Sequence, residues 1–171
     1  MSADGGAGPA LLSLGSNIEP YLHMGRAVEQ IVERFPDAQV SPLYLTAAVG
    51  FEGADFLNAA MAIRADVDVA ELDAWLTALE DGMGRRRDGP RFSDRPIDVD
   101  IVAFGSRVSE VPPVLPRPDL VQEAFTLRPC ADIAPDYLHP LLGRTLQALA
   151  ADDAVAAEMR PVATRRWWET Q

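Results

Sequence analysis

The stretch RFSDRPIDVDIVAFG, residues 91–105, places two arginines and three aspartates ahead of an apolar run. Its last ten residues have the composition of a buried β-strand, since most of them are apolar and several are β-branched. Residues two apart in a strand project from the same face, so Asp98 and Asp100 point together while the isoleucines and the valine around them face the core. Unpaired carboxylates are costly to bury, so this strand needs something that neutralises them.

The segments before this strand predict two helices and three more strands. They are a strand at 9–17, a helix with an apolar stripe from Met24 to Phe35 that Pro36 stops, strands at 38–50 and 55–67, and a helix that begins after Asp68 and ends near Gly82 and Gly84. Glu71, three residues after Asp68, completes a capping-box-like pair. The order strand, helix, strand, strand, helix, strand predicts a ferredoxin-like α+β sandwich, with helices on one face of a mainly antiparallel sheet.

Four segments follow the strand at 96–105. They are a proline-rich loop (111–120), an apolar segment (124–135), a helical segment (143–159) and a final RPVATRRWWETQ (160–171), which fits either a tail or an extra strand. Neither an internal repeat nor a domain boundary is visible. We therefore expect a disordered leader at 1–8 and one domain over 9–171.

Composition excludes several classes of protein. No apolar run approaches the roughly 20 residues that span a bilayer, and the small, polar N-terminus does not resemble a signal peptide. Cys130 is the only cysteine, which excludes an internal disulfide and a thiolate zinc cluster. A formal net charge of -11 argues against nucleic acid and anionic membranes as partners. The simplest interpretation is a cytoplasmic protein.

The basic residues cluster in one place. All 15 Lys+Arg residues are arginines, and five of them lie within residues 85–95. Genomic base composition explains the missing lysine but not the clustering. Arginine suits phosphate because its planar guanidinium donates two hydrogen bonds at once. The cluster therefore predicts a local anion.

Two parallel carboxylates repel each other unless one is protonated, an arginine bridges them or a cation lies between them. Both can pair with nearby arginines, such as Arg95, at a solvated end of the sheet. Alternatively, Asp98 and Asp100 can hold magnesium, which takes one or two carboxylates and completes its shell with water and substrate phosphate. Carboxylates for a metal beside arginines for phosphate form the combination that a nucleoside triphosphate needs. No Walker-type loop is present.

An ordered set of short motifs resembles the 6-hydroxymethyl-7,8-dihydropterin pyrophosphokinase family. The set runs from about residue 9 to about 143 and includes LGSN (14–17), YLTAAVG (44–50), FLNAA (56–60), Glu80, GRRR (84–87), R-x-x-D-V-D-I (95–101), FG (104–105) and LRPCADIAPDYLHP (127–140). This family transfers the terminal diphosphate of ATP to the pterin hydroxymethyl group and releases AMP. The resemblance thus implies ATP as co-substrate, a pterin as acceptor and a cytoplasmic, generally monomeric enzyme.

The resemblance also implies roles for particular residues. Asp98 and Asp100 would hold two magnesium ions, with Arg85 and Arg95 as the phosphate-binding catalytic arginines. Implied pterin contacts are Phe56 and Phe125 around the ring, Asn58 on its polar edge, and backbone groups near Thr46 and Val49. Implied nucleotide contacts are Glu80, Arg87, Arg91, Ile101 and Arg117. From the residues alone, the two phenylalanines fit plain core positions better than ligand contacts, and Asn58 fits either a ligand or a backbone partner.

The chain departs from the family pattern around this core. The differences are Phe92 for a loop tryptophan, Ser93 and Asp94 for Gly-Pro, Arg117-Pro118 for His-Tyr, Glu123 for an arginine, and Ala47-Ala48 for Pro-Pro. They leave two alternatives to the standard reaction. One is a divergent paralogue that acts on a different pterin. The other is a ferredoxin-like module that binds a nucleotide or pterin without turnover.

Overall fold

A five-stranded antiparallel sheet forms the centre of the computed structural model, which describes residues 9–48, 52–85 and 96–170. Its strands are β1 (Ala10–Ser16), β2 (Gln39–Val40), β3 (Tyr44–Thr46), β4 (Phe56–Ile63) and β5 (Asp98–Phe104). The order is β2–β4–β1–β5, with β3 also paired to β4, and every neighbouring pair is antiparallel. This topology confirms the predicted ferredoxin-like fold, with β2 and β3 together in the place of its second strand.

The second predicted strand, 38–50, is interrupted after Val40. Pro42 has no N–H for the ladder, so pairing with β4 cannot run through it. Ser41 stabilises the break, because its hydroxyl accepts from the Ala60 N–H at 2.8 Å and its own N–H donates to the Ala60 carbonyl at 2.9 Å. The strand resumes as β3, and the last two residues of the predicted range lie outside the described residues.

Six α-helices and one 3-10 helix lie in the described ranges. They are α1 (Pro20–Arg34), α2 (Val69–Gly82), α3 (Asp119–Gln122), α4 (Ala124–Ile133), α5 (Leu146–Asp152), α6 (Ala154–Glu158) and the 3-10 helix Trp167–Thr170. Asp68 caps α2 as predicted, since its carboxylate accepts from the Glu71 N–H at 2.9 Å. The single helix predicted over 143–159 is wrong: Asp153 ends α5, and its carboxylate then caps α6 through the Val155 and Ala156 N–H groups. Among the described helices, none has the length and apolar character needed to cross a membrane.

Helices cover both faces of the sheet, so the prediction of helices on one face only is wrong. One face carries Leu12, Leu14, Val99 and Ile101 and packs against α1 and α2. The other face carries Leu11, Ala60, Ala62 and Val102 and packs against α3–α6. The second helical layer follows from these four side chains, because they would otherwise leave an apolar patch in water.

Candidate active site

A row of three residues crosses the centre of the sheet on its second face. Gly15 of β1 lies directly opposite Asn58 of β4 on one side and opposite Asp98 of β5 on the other. In the next row Ser13 lies between Ala60 and Asp100. Directly opposed residues share a face of the sheet, so the predicted amide and the two predicted carboxylates lie on one surface.

Small residues keep the middle of this surface open. A Cβ atom on Gly15 would lie 3.3 Å from the Asn58 Oδ1 atom, a tight contact, and 3.7 Å from the Phe56 Cδ1 atom, an ordinary one. In the adjoining row Ser13 is half-buried, and Ala60 packs in the core on the second face. Because Gly15 has no side chain, the row from Asn58 through Gly15 to Asp98 is lowest at its centre, and we call this row the groove.

Asp98 and Asp100 point together away from the first core, as predicted. The residues that alternate with them, Val99 and Ile101, are 5% and 3% exposed in that core, whereas both aspartates are half-buried. The two carboxylates have different surroundings. Asp98 accepts a 2.6 Å hydrogen bond from the Arg85 Nη1 atom, which makes a partly buried ion pair.

Arg85 follows α2 in the chain and is held in place by Glu80 near the end of that helix. Gly84, with φ of +90°, turns the chain after α2 in a conformation that glycine tolerates. The backbone N–H of Arg85 donates to the Glu80 carbonyl at 3.1 Å, and the guanidinium lies 3.4 Å from the Glu80 carboxylate. Arg85 therefore lies between two carboxylates, one from α2 and one from β5.

Glu80 is buried, with 4% of its surface exposed, and accepts from the Val99 N–H at 2.6 Å. A buried carboxylate needs such donors. This contact also shows that the backbone of Val99 faces the open edge of β5 and not β1. Because backbone direction alternates along a strand, the amide and carbonyl of Ile101 face the same edge. The side chain of Ile101 is buried in the first core, so only its backbone is available to a ligand.

Asp100 lies in the most strained electrostatic position of the site. Within the described ranges, its carboxylate makes neither a hydrogen bond nor an ion pair. Burial raises the pKa of Asp100 to about 7, and the neighbouring charge of Asp98 is the second cause of this rise. The positive charge of Arg117 opposes both. A nearby cation would stabilise the ionised form of this carboxylate.

Arg117 supplies positive charge on the other side of Asp100. Its backbone N–H donates to the Val102 carbonyl at 2.9 Å, and its guanidinium makes a 3.4 Å contact with Asp119. Burial lowers the pKa of Arg117, but Asp100 and Asp119 more than offset this and raise it. Its Nε atom is buried and has no hydrogen-bond partner in the described part of the chain.

The predicted pterin residues occupy the other end of the groove. Asn58 is 4% exposed, and its side-chain N–H donates to the Thr46 hydroxyl at 2.5 Å. This bond gives the buried amide a protein partner and fixes its orientation across β3 and β4. Phe56 is the first residue of β4 and Phe125 the second residue of α4, and both are half-buried. Their role as two walls around a ring stays a prediction.

Several predicted site residues lie outside the described residues. They are Val49, Arg87, Arg91 and Arg95, together with the departures Phe92, Ser93 and Asp94. The described remainder contains no cluster of three or more His, Cys, Asp or Glu side chains suited to a metal. Asp98 and Asp100 nevertheless fit magnesium, because two hard oxygen donors suffice when water and substrate phosphate complete the shell. The unpartnered carboxylate of Asp100 supports this fit.

Sequence reasoning missed two features of the site. One is Gly15, whose LGSN motif marks a turn, while its place between Asn58 and Asp98 depends on strand register. The other is the double role of Glu80, which bonds the edge of β5 and also contacts Arg85. A lone glutamate at the end of an apolar helix was the available signal, although helix ends are usually exposed.

Comparison with known proteins gives one consistent result. A family model described as 7,8-dihydro-6-hydroxymethylpterin-pyrophosphokinase (HPPK) matches residues 11–135. A Pseudomonas aeruginosa protein named 2-amino-4-hydroxy-6-hydroxymethyldihydropteridine pyrophosphokinase is 35% identical over 147 residues, which cover 82% of this chain and 88% of the relative. A Synechocystis protein of the same name is 30% identical over 141 residues, or 80% and 72% of the two chains.

A crystal structure of Plasmodium falciparum HPPK-DHPS has the same fold. It matches with a TM-score of 0.65 at 14% sequence identity, over 83% of this chain. This chain spans only 40% of that longer one. The extent of the family match and the identity to the bacterial relatives lead to one assignment: the chain belongs to the 7,8-dihydro-6-hydroxymethylpterin-pyrophosphokinase family.

Proposed function

We propose that this chain transfers the pyrophosphoryl group of ATP to the hydroxymethyl group of 6-hydroxymethyl-7,8-dihydropterin and releases AMP. The observation that carries the proposal is the groove on the second face of the sheet. Asn58 and Thr46 lie at one end of it, and Asp98, Asp100, Arg85 and Arg117 lie at the other. A flat heterocycle at the first end would present its substituent to the charged end.

The pterin end provides hydrogen bonds that suit an amide-like ring edge. Asn58 carries both donor and acceptor groups, and its bond to Thr46 fixes which way each group points. Gly15 leaves space beside the amide for a planar ligand. Phe56 and Phe125 would add stacking and apolar burial if they wall the ring as the family pattern implies.

The charged end provides the groups that a polyphosphate needs. Asp98 and Asp100 would hold magnesium, for which the family pattern implies two ions. When bound, the metal neutralises phosphate oxygens and helps to align the chain of phosphates. Arg85 and Arg117 add charge from two different elements, the end of α2 and the loop after β5. Ile101 would contact the nucleotide through its edge-facing backbone.

In the proposed reaction the pterin alcohol oxygen attacks the β-phosphorus of ATP. A new P–O bond forms between the alcohol oxygen and the β-phosphorus. The bond from the β-phosphorus to the oxygen shared with the α-phosphorus breaks, so AMP leaves with that oxygen. The alcohol proton passes to water. The described residues act mainly by positioning and charge stabilisation. Arg85 would stabilise charge on the transferred group, and Glu80 would orient Arg85.

An AMP-release assay tests the proposal. Purified protein is incubated with ATP, magnesium and 6-hydroxymethyl-7,8-dihydropterin, and AMP is measured by chromatography. Asp98→Ala and Asp100→Ala should abolish AMP release while circular dichroism shows an intact fold, and Asp37→Ala, at an exposed position, should leave it unchanged. Full turnover in either site variant would contradict the metal assignment.

The same assay separates the two alternatives. A non-catalytic binding module would bind ATP or pterin without releasing AMP, whereas a divergent enzyme would release AMP with another member of a panel of side-chain-modified pterins. A monomeric state and a cytoplasmic location also stay predictions. Sedimentation of the full chain tests the first of them.

A further inference from the structure

We propose that the C-terminal strap, residues 160–170, positions the pterin end of the groove by holding β3 in register. The inference rests on the function proposed above and adds an element to it. The strap lies beyond residues 11–135, over which the family model matches. Its 3-10 helix packs against α1, and its hydrogen bonds to the sheet converge on the short connection between β2 and β3.

The first contact is a two-bond antiparallel bridge. The N–H of Leu43 donates to the Ala163 carbonyl at 2.8 Å, and the N–H of Val162 donates to the Leu43 carbonyl at 2.8 Å. Leu43 is fully buried. The strap thereby satisfies both backbone groups of the residue that immediately precedes β3.

The second contact is an anchored indole. Trp167 is only 4% exposed, packs in the core on the first face of the sheet and donates from its Nε1 atom to the Ser41 carbonyl at 2.8 Å. Trp168 packs edge-to-face against it, with ring centroids 5.8 Å apart. The strap is part of the folded domain, since Trp167 is buried in the core and two strap backbone groups pair with Leu43.

These contacts matter because the β2–β3 connection is intrinsically weak. β3 pairs with β4 through Tyr44–Thr46, but Pro42 interrupts the ladder just before it, so Ser41 and Leu43 anchor only the N-terminal end of β3. Ser41 is held by Ala60 on one side and by Trp167 on the other. Leu43 is held by the strap.

The connection lies close to the pterin end of the groove. Thr46, whose hydroxyl accepts the side-chain hydrogen bond of Asn58, lies three positions after Leu43. Tyr44 faces Asn58 in the register, and its phenol donates to Asp132 of α4. The strap and α4 therefore fix β3 from two directions. Release of the strap frees the edge of β3 and shifts the hydroxyl that orients Asn58.

Two single substitutions test the strap. Trp167→Phe keeps an aromatic ring in the core and removes the indole donor, with Trp168→Phe on the same 3-10 helix as its control. Val162→Pro removes one bridge donor at a position that is 48% exposed, with Val162→Ala as its control. Loss of one hydrogen bond of about 1 kcal/mol corresponds to an approximately fivefold change in an equilibrium constant.

The expected result is selective. Trp167→Phe and Val162→Pro should raise the KM for the pterin about three- to tenfold and leave the KM for ATP and kcat within about twofold. Backbone amide exchange of Tyr44 to Thr46 should accelerate in both variants and in neither control. Equal increases in both KM values, or faster exchange across the whole sheet, would show general destabilisation and overturn the inference.

The exchange measurement separates failure of the inference from failure of the proposed function. If wild-type protein shows no AMP release with the pterin, the proposed function fails, and amide exchange still reports whether the strap fixes β3. If wild-type protein is active and neither variant changes the pterin KM, the inference alone fails.

Discussion

Replacement of Asp100 by asparagine should make the free protein more stable and, at the same time, inactive. In the folded protein the pKa of Asp100 rises from the ordinary value of 3.8 to about 7, mainly through burial and then through the charge of Asp98. The folded state therefore disfavours the ionised carboxylate that the unfolded chain carries freely. Asparagine has nearly the same shape and no charge, so it removes this penalty.

The pH dependence gives the magnitude. Between pH 3.8 and about 7 the folded protein keeps a proton on Asp100 that the unfolded chain has lost, so stability falls as pH rises through this window. A tenfold change in proton affinity is worth about 1.4 kcal/mol. The penalty therefore grows from about 2 kcal/mol at pH 5.5 to about 4 kcal/mol above pH 8. The stability gain of Asp100→Asn should grow by the same difference.

Urea denaturation in the presence of EDTA, followed by tryptophan fluorescence, measures this gain at pH 5.5 and pH 8. Asp37→Asn removes a charge at an exposed position and should change stability by less than about 0.5 kcal/mol at both values. Magnesium with a non-hydrolysable ATP analogue should stabilise the wild type at pH 8 and have little effect on Asp100→Asn, since a ligand stabilises only the state that binds it. A variant less stable than wild type at pH 8, or a gain that does not depend on pH, would refute the reasoning.

Three further substitutions test the contacts around the site. Glu80→Gln should lower stability by about 1–3 kcal/mol and lower kcat more than either KM, because the strong acceptor that orients Arg85 becomes a neutral amide; urea denaturation and steady-state kinetics measure both. Tyr44→Phe should lower stability by about 1–3 kcal/mol in the same denaturation assay, because it removes the hydrogen bond that the buried Tyr44 phenol donates to the Asp132 carboxylate. Thr46→Val should raise the pterin KM about tenfold at an unchanged ATP KM, because it removes the acceptor that fixes the side-chain amide of Asn58; an equal rise in both KM values would contradict this.

Local patterns in the sequence were sufficient for the elements that carry the site. The alternation in β5 predicted Asp98 and Asp100 on one face of the strand and Val99 and Ile101 on the other. The structure confirms this arrangement, which the period of two in a strand dictates. Asp68 marked the start of α2 for an equally local reason. The strand order followed once the sequence of elements was known, since few topologies bury both amphipathic helices.

Features that depend on contacts distant in sequence were not predictable from local patterns. The role of Gly15 requires the register of two strand pairs, because nothing adjacent to it in sequence identifies Asn58 or Asp98 as its neighbours. The alternatives for residues 160–171, a tail or an extra strand, depended on whether Trp167 could reach Ser41, 126 residues earlier. The strand at 38–50 was predicted as continuous, so the break at Pro42 was missed, and the edge that is held there depends on the strap.

The sequence left open whether arginine or metal neutralises the paired aspartates. The structure gives a different answer for each of the two carboxylates. Arg85 bonds Asp98 directly, so the arginine solution holds for that carboxylate. It does not extend to Asp100, which has no bonded partner within the described ranges and keeps a pKa near 7 even though Arg117 lowers it. Arginine thus accounts for one charge and leaves the other to be met by a ligand. A site that needed only internal ion pairs would be more stable with one carboxylate than with two, because the second is desolvated without a bonded partner. The second aspartate therefore fits the metal-bound polyphosphate of the function proposed above.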